Sequence, residues 1–358
     1  MIKSKKSKKK ILYPNFFKNF KNNLITMLVL VVCFIFITNP SLYAKSCLNA
    51  ISVWGLNVLP MLLPFFIFTR IIVSLCPPKK NVLDRPFKKA YHTPDGSFLI
   101  FFLSVISGYP MGAKLISNVY ENKYIDNDDA LAMLSFCSIS GPMFMIGTVG
   151  VSIFGSYKAG LIILIANVLA CLINGLIFRK KNKEASSKDN KIDKNIIIED
   201  KFKGDNSVTN KGVEVNNSSN ILADSVYDSL NSILLVGTYI VLSFLLIDLL
   251  KNIGFISNVS SGICSVLHIK DKQNVVESAL SGLIEITRGN IDLATTSLSL
   301  GAKTVISSGL IGFGGISVIM QSTAFIKNLN LPFKTVVKQK IMQGILATVC
   351  ALPFMFIL

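Results

Sequence analysis

Histidine and tryptophan are almost missing from this sequence: two His and one Trp stand among 358 residues. His92 and His268 lie outside the longest apolar runs, and no HExxH, Ser-His-Asp or paired metal spacing can be assembled around them. The common hydrolytic and metal chemistries therefore drop out. The seven cysteines (Cys33, Cys47, Cys76, Cys137, Cys171, Cys264, Cys350) are spread singly, mostly within apolar runs and without a CxxC spacing. They read as small buried hydrophobes rather than zinc ligands or a disulfide framework. Neither GxGxxG nor a Walker A sequence occurs, so ATP drive within this chain is not expected. The expectation is a protein with no enzymatic activity, no cofactor and no metal.

Charge is scarce as well. Only 16% of residues are charged, against about 25% in an average soluble domain, while 51% are apolar and the mean hydropathy is +0.54. A chain of this length can hide apolar surface in a core but still needs a charged exterior in water, so the deficit points to lipid. Acids are the scarcer sign, 20 against 37 bases, for a net charge of +17. Residues 1–22 hold eight Lys and no acid, and the remaining excess lies mostly in loops between apolar runs. That distribution suits a cytoplasmic arm facing anionic lipid and not a nucleic-acid footprint.

About 20 apolar residues span the hydrocarbon as a helix. Stretches free of Asp, Glu, Lys and Arg are found at 24–44, 46–69, 96–113, 130–157, 159–178, 229–247, 252–269, 304–326 and 341–358. The stretch 278–302 is interrupted by Glu285, Arg288 and Asp292. The first run, lacking a clear cleavage site, reads as a retained anchor. Residues 179–220 are rich in Lys, Asn and Ser and read as a flexible linker, with RKKNK at its start placing it in the cytoplasm. The expected organisation is thus a basic cytoplasmic arm (1–22), a transmembrane helix (23–46), a membrane half (47–180), a polar linker (181–220) and a second membrane half (221–358).

Parity sharpens this map. If run 24–44 goes out and 46–69 returns, the basic loop 79–92 lies inside, and three runs remain before the cytoplasmic RKKNK. One of them must enter and leave on the same side. The candidates carry Gly and Pro: ISGYPMGAK at 106–114 and SISGPMFMIG at 138–147. Broken helices at membrane depth are tolerated where freed backbone groups face protein, water or a solute, and they point to a transporter site. The second half also repeats the first in part: 52–75 resembles 225–250, and 108–125 resembles 312–331. Because one helix precedes the first copy, the copies would be inverted. An all-α polytopic protein with two inverted halves and broken or re-entrant helices is expected.

Four segments carry a family resemblance: GLNVLPMLLPFFIF (55–68), SGYPMGAKL (107–115), ENKYIDNDDALAMLSFCSISGPMFMIGTVGVSIFGS (121–156) and GLIEITRGN (282–290). They resemble the sporulation integral membrane proteins of the YlbJ type, also called SpoVV, over about 47–180 and 221–358. The resemblance implies two nucleoside-recognition "Gate" domains, and import of dipicolinic acid through the outer forespore membrane during endospore formation. A nucleoside or other small-metabolite carrier and a non-transporting sporulation scaffold are the alternatives. The chain departs from the pattern in its Lys-rich start, its linker, and GFGG where the first half has GYPMG.

Dipicolinate is a flat aromatic dianion, so its site should offer cations, helix N-termini and an apolar slot. Gly108, Tyr109, Pro110 and Gly112 would unwind the chain and present amides at the start of a half-helix, where the dipole favours an anion. Lys114 would face the same ligand; its plainer reading is a snorkelling lysine. Ser138, Ser140, Gly141 and Pro142 make a second break. In the other half, Glu285, Thr287, Arg288 and Asn290 cluster in an apolar neighbourhood, where ionisable groups suggest function, with Glu285 a candidate proton carrier. Glu285 with Arg288 also fits a helix-surface ion pair. Gly312, Gly314 and Gly315 would mirror the first break, or serve close helix packing. Expected partners are the organic anion and anionic lipid at the arm, with a homo-oligomer left open.

Overall fold

A computed structural model describes residues 13–75, 82–180, 221–329 and 331–358. The first twelve residues of the expected arm and the expected linker 181–220 lie outside the described residues. The described residues are helical throughout, with no strand among them. Four stretches are long and apolar enough to cross a membrane: Pro40–Leu75, Tyr157–Ile177, Ile221–Asn252 and Leu300–Phe325, with mean hydropathy between 1.5 and 2.5. The chain is an all-α polytopic membrane protein, as its composition required.

The chain divides into Met1–Asn49 and Ala50–Leu358. In the first unit α1 (Tyr13–Thr38) ends where the Thr38 hydroxyl turns back to the Ile35 carbonyl at 2.8 Å. Pro40 then opens α2 (Pro40–Val53) at a position where its missing N–H costs nothing.

The larger unit begins with a π-helical turn, Trp54–Val58, leading into α3 (Leu59–Leu75). A short helix, α4 (Asp84–Tyr91), with basic residues in its last turn precedes α5 (Ser97–Ser107) and α6 (Met111–Glu121). Then come α7 (Asn127–Cys137), a π-helix (Met143–Ile153) and α8 (Tyr157–Ile177). The second half repeats this order. It has α9 (Ile221–Asn252), the amphipathic α10 (Phe255–Leu267), α11 (Gln273–Ile284), α12 (Ile286–Ala294), α13 (Leu300–Phe313), α14 (Gly315–Phe325) and α15 (Phe333–Ala351).

Each half therefore has one long helix, a helical hairpin, a crossing helix broken at its middle, and a final long helix. In the hairpins the legs fold back on each other: Gly112 of α6 is wedged between the Cys137 carbonyl of α7 and the Ser104 hydroxyl of α5, and Gly289 of α12 lies against the backbone of Gly282 in α11. A side chain on either glycine would push the legs apart. The α5–α6 hairpin folds back on itself, the shape expected of a segment that enters and leaves on one side. With it turning back, α7 with the π-helix and α8 make two crossings between the basic 79–92 loop and RKKNK, and both ends share one side. The break at 138–142 interrupts a crossing helix instead.

Equivalent helices of the two halves run antiparallel. Arg70, near the end of α3, pairs with Asp228, near the start of α9, while Trp54 at the other end packs on Gly237. In the second pair, Asn174 of α8 donates to the Gln339 carbonyl of α15 at 3.3 Å, and Gln343 donates to the Cys171 sulfur at 2.8 Å. Two antiparallel pairs of equivalent helices are what inverted halves produce.

One expectation shifts register. The GYPMG segment at 108 was matched to GFGG at 312. By element order the partner of the 108–110 break is the break at Glu285, and the partner of 138–142 is Gly314. Contacts agree, because Gly108 abuts Gly141 in the first half while Gly315 abuts Gly282 and Ile284 in the second. The interrupted stretch 278–302 holds the second half's own hairpin, disguised because its tip is Glu-Ile-Thr rather than Gly-Tyr-Pro.

Candidate functional site

The four breaks meet. A cavity of about 30 Å³ is lined by Tyr109 from the first, Ser140 and Gly141 from the second, Glu285, Ile286 and Thr287 from the third, and Val318 and Gln321 just past the fourth. Val58 and Leu62 with Phe144 close it on one side, Val236 and Ile240 on the other. The wall thus combines an apolar slot with a few polar groups, the composition usual for small-molecule sites. As it stands the cavity has room for water-sized groups.

Each break has a local cause. Gly108 sits at φ 76° and ψ −168°, a region open only to glycine. Gly314 and Gly315 take φ 86° and 72° and stop α13 one residue before α14 restarts. Glu285 is extended at φ −143°, and its carboxylate then caps α12: Oε2 accepts from the Arg288 amide at 2.7 Å, and Oε1 accepts from the Thr287 hydroxyl at 3.0 Å.

Glu285 is the exception among the cavity's helix starts. Four half-helices begin there: α6, the π-helix, α12 and α14. Side chains cap the starts of α7 (Asp126), α8 (Ser156) and α13 (Ser299), whereas α4, α5, α10, α11 and α15 start without one. No side chain caps α6, the π-helix or α14. A buried helix start without a cap leaves amide donors at a cost of about 1–3 kcal/mol each and with the positive end of the helix dipole exposed. Several carbonyls of the opposing helix ends, by contrast, are taken. Tyr109 donates its hydroxyl to the Ile311 carbonyl of α13, and the Ser138 carbonyl after α7 accepts from Lys340 and Gln343, both at 3.0 Å. At the start of α6 the Met111 amide donates to the Gly108 carbonyl at 3.0 Å.

Of the residues singled out from sequence, Tyr109, Ser140, Gly141, Glu285 and Thr287 line the cavity. Gly108, Pro110, Ser138, Pro142, Gly314 and Gly315 build the breaks around it. Gly112 belongs to the hairpin packing. The others are drawn elsewhere by helical rotation, which turns a side chain about 100° per residue. Lys114 does not face the cavity: its Nζ donates to Ser232 Oγ of α9 at 2.8 Å and lies 5.6 Å from the centre of the Phe325 ring. Arg288 is bound to Asp248 at 3.0 Å and to Asp292 at 3.1 Å, over the Phe244 ring. Asn290 is fully buried, donating to the Ile286 carbonyl at 2.7 Å, with its own carbonyl oxygen unpartnered. Gly312 permits close packing on Gln343, Gly344 and Ala347 of α15, the plainer of its two readings.

Gln321, Lys340 and Gln343 escaped the sequence reading. Runs were measured by the absence of Asp, Glu, Lys and Arg, which passes over glutamine, and Lys340 fell one residue outside the run 341–358. The spacing of Gln339 and Gln343 on one face of an apolar helix was the available signal.

The fold and cavity define a polytopic helical membrane protein with two inverted halves meeting at broken helices. Compared with known proteins, the chain is similar to the sporulation integral membrane protein YlbJ of Bacillus subtilis (strain 168), with 26% identity over 337 residues, covering 91% of this chain and 82% of that protein. The match spans both halves and supports the resemblance to the YlbJ type carried by the motifs. No family profile and no solved structure matches it.

Proposed function

We propose that this protein is a transporter of a small organic anion in the membrane of a sporulating cell, with dipicolinic acid as substrate and the outer forespore membrane as its location. The observation that carries the anion is a pocket beside the starts of α6, the π-helix and α14, none of them capped by a side chain, with Tyr109, Ser140, Thr287 and Gln321 in its wall. Similarity to YlbJ supports the sporulation setting, and the choice of dipicolinate follows from the family resemblance. Inverted halves hinged at paired breaks fit alternating access, in which the hairpin tips part on one side at a time. Nothing in this scheme needs catalysis or a cofactor, and the Lys-rich arm is assigned to anionic lipid.

Glu285 is the one carboxylate among the lining residues. A dianion beside an ionised Glu285 is repelled in a low dielectric, so we assign Glu285 the proton that accompanies the substrate. The purified full chain in liposomes is expected to take up labelled dipicolinate and not uridine, faster with a proton gradient in the same direction. Glu285→Gln, a fixed mimic of the protonated acid, is expected to bind dipicolinate but lose the gradient's acceleration. Uptake of uridine alone would overturn the anion reading, and an unchanged gradient response in the variant would remove Glu285 from coupling.

A further inference from the structure

Lys340 is 4% exposed, on α15, and makes no ion pair among the described residues. Its Nζ donates to the Ser138 carbonyl and to Gln343 Oε1, both at 3.0 Å, and lies 4.8 Å from the centre of the Tyr109 ring. Its stem runs beside Gly314. One lysine therefore lies against the first, second and fourth breaks, its ammonium facing the ring of Tyr109, which is itself part of the cavity wall. Two neutral acceptors and a ring face satisfy its hydrogens but not its charge. Buried cations in membranes are normally paired, and an unpaired one is a functional position.

We propose that Lys340 is the cation that receives a substrate carboxylate. When Tyr109 swings from the ammonium, the carboxylate takes the ring's place and pairs with Nζ. Because Lys340 belongs to the second half and Ser138 and Tyr109 to the first, the exchange also loosens a contact between halves, so binding and opening become one event. The proposal rests on the organic-anion reading above. It adds the residue that decides charge selectivity, while the uncapped helix starts supply hydrogen bonds to the remaining oxygens.

The test uses the full chain in detergent, with ligand-induced thermal shift and calorimetric binding for dipicolinate. Lys340→Met and Lys340→Gln are compared with Lys340→Arg. The Gln variant keeps a donor for the Ser138 carbonyl and hence the local packing. The expected result is that wild type is stabilised by dipicolinate, both neutral variants melt without ligand at or above the wild-type temperature but bind more than tenfold more weakly, and Arg recovers part of the affinity. Wild-type affinity in the Gln variant would overturn the assignment of Lys340 and leave the anion reading standing. A wild type that dipicolinate neither stabilises nor binds would overturn the anion reading and this inference with it.

Discussion

Arg288→Met will lower the stability of the protein by about 1–3 kcal/mol, the cost of stranding a partly buried charged group. The guanidinium holds Asp248 of α9 at 3.0 Å and Asp292 of α12 at 3.1 Å, with each of the three side chains less than a fifth exposed. Asp292 retains Lys251 at 2.7 Å after the change, but Asp248 is left with no counter-charge of its own. The loss also strips the cation from the Phe244 ring. The cluster ties the second hairpin to α9, so its failure should loosen the wall that carries Glu285 and Thr287. Thermal unfolding in detergent measures the effect. The double variant Arg288→Met with Asp248→Asn should recover most of the loss, because the stranded charge is gone. Equal destabilisation of the single and double variants would mean that Arg288 acts by packing rather than charge.

The second large effect is expected at the first hairpin tip. Gly108→Ala will cost about 3 kcal/mol or more and abolish uptake, since two penalties add. The backbone at φ 76° and ψ −168° strains any residue with a Cβ, by about 1–3 kcal/mol. The added methyl would also be driven into the backbone nitrogen of Gly141, and backbone cannot rotate aside as a side chain can. The tip must retreat from the second break, taking Tyr109 out of the cavity wall and away from Lys340. Gly55→Ala is the control, with nothing within 4 Å of the new methyl, and should leave stability and uptake unchanged. A Gly108→Ala protein that melts within about 2 °C of wild type, less than 1 kcal/mol on the usual scale, would show that the tip is soft and the two breaks need not touch.

These effects separate what could be read along the chain from what could not. Run lengths and basic loops already required an odd segment between 92 and 179, and Gly-Tyr-Pro marked where it turns. The tip of the second hairpin was hidden. It turns through an extended glutamate that caps its own following helix, and no glycine or proline announces such a turn. For the same reason the internal repeat was matched one element out of register. Lys114 and Arg288 stand next to the breaks in sequence, yet a few residues of helix carry them to α9, where Lys114 meets the Ser232 hydroxyl and Arg288 the Asp248 carboxylate. Lys340, more than two hundred residues from Tyr109, touches its ring.

The sequence by itself determined the solvent, the helical class and the sites where helices must break. Each of these follows from local composition, because lipid forbids unpaired backbone and about 20 apolar residues reach across it. Tertiary structure alone decided that the four breaks share one cavity, which helix starts go uncapped there, and which cation stands behind the wall. Those depend on antiparallel packing between halves far apart in the chain, which no local pattern encodes.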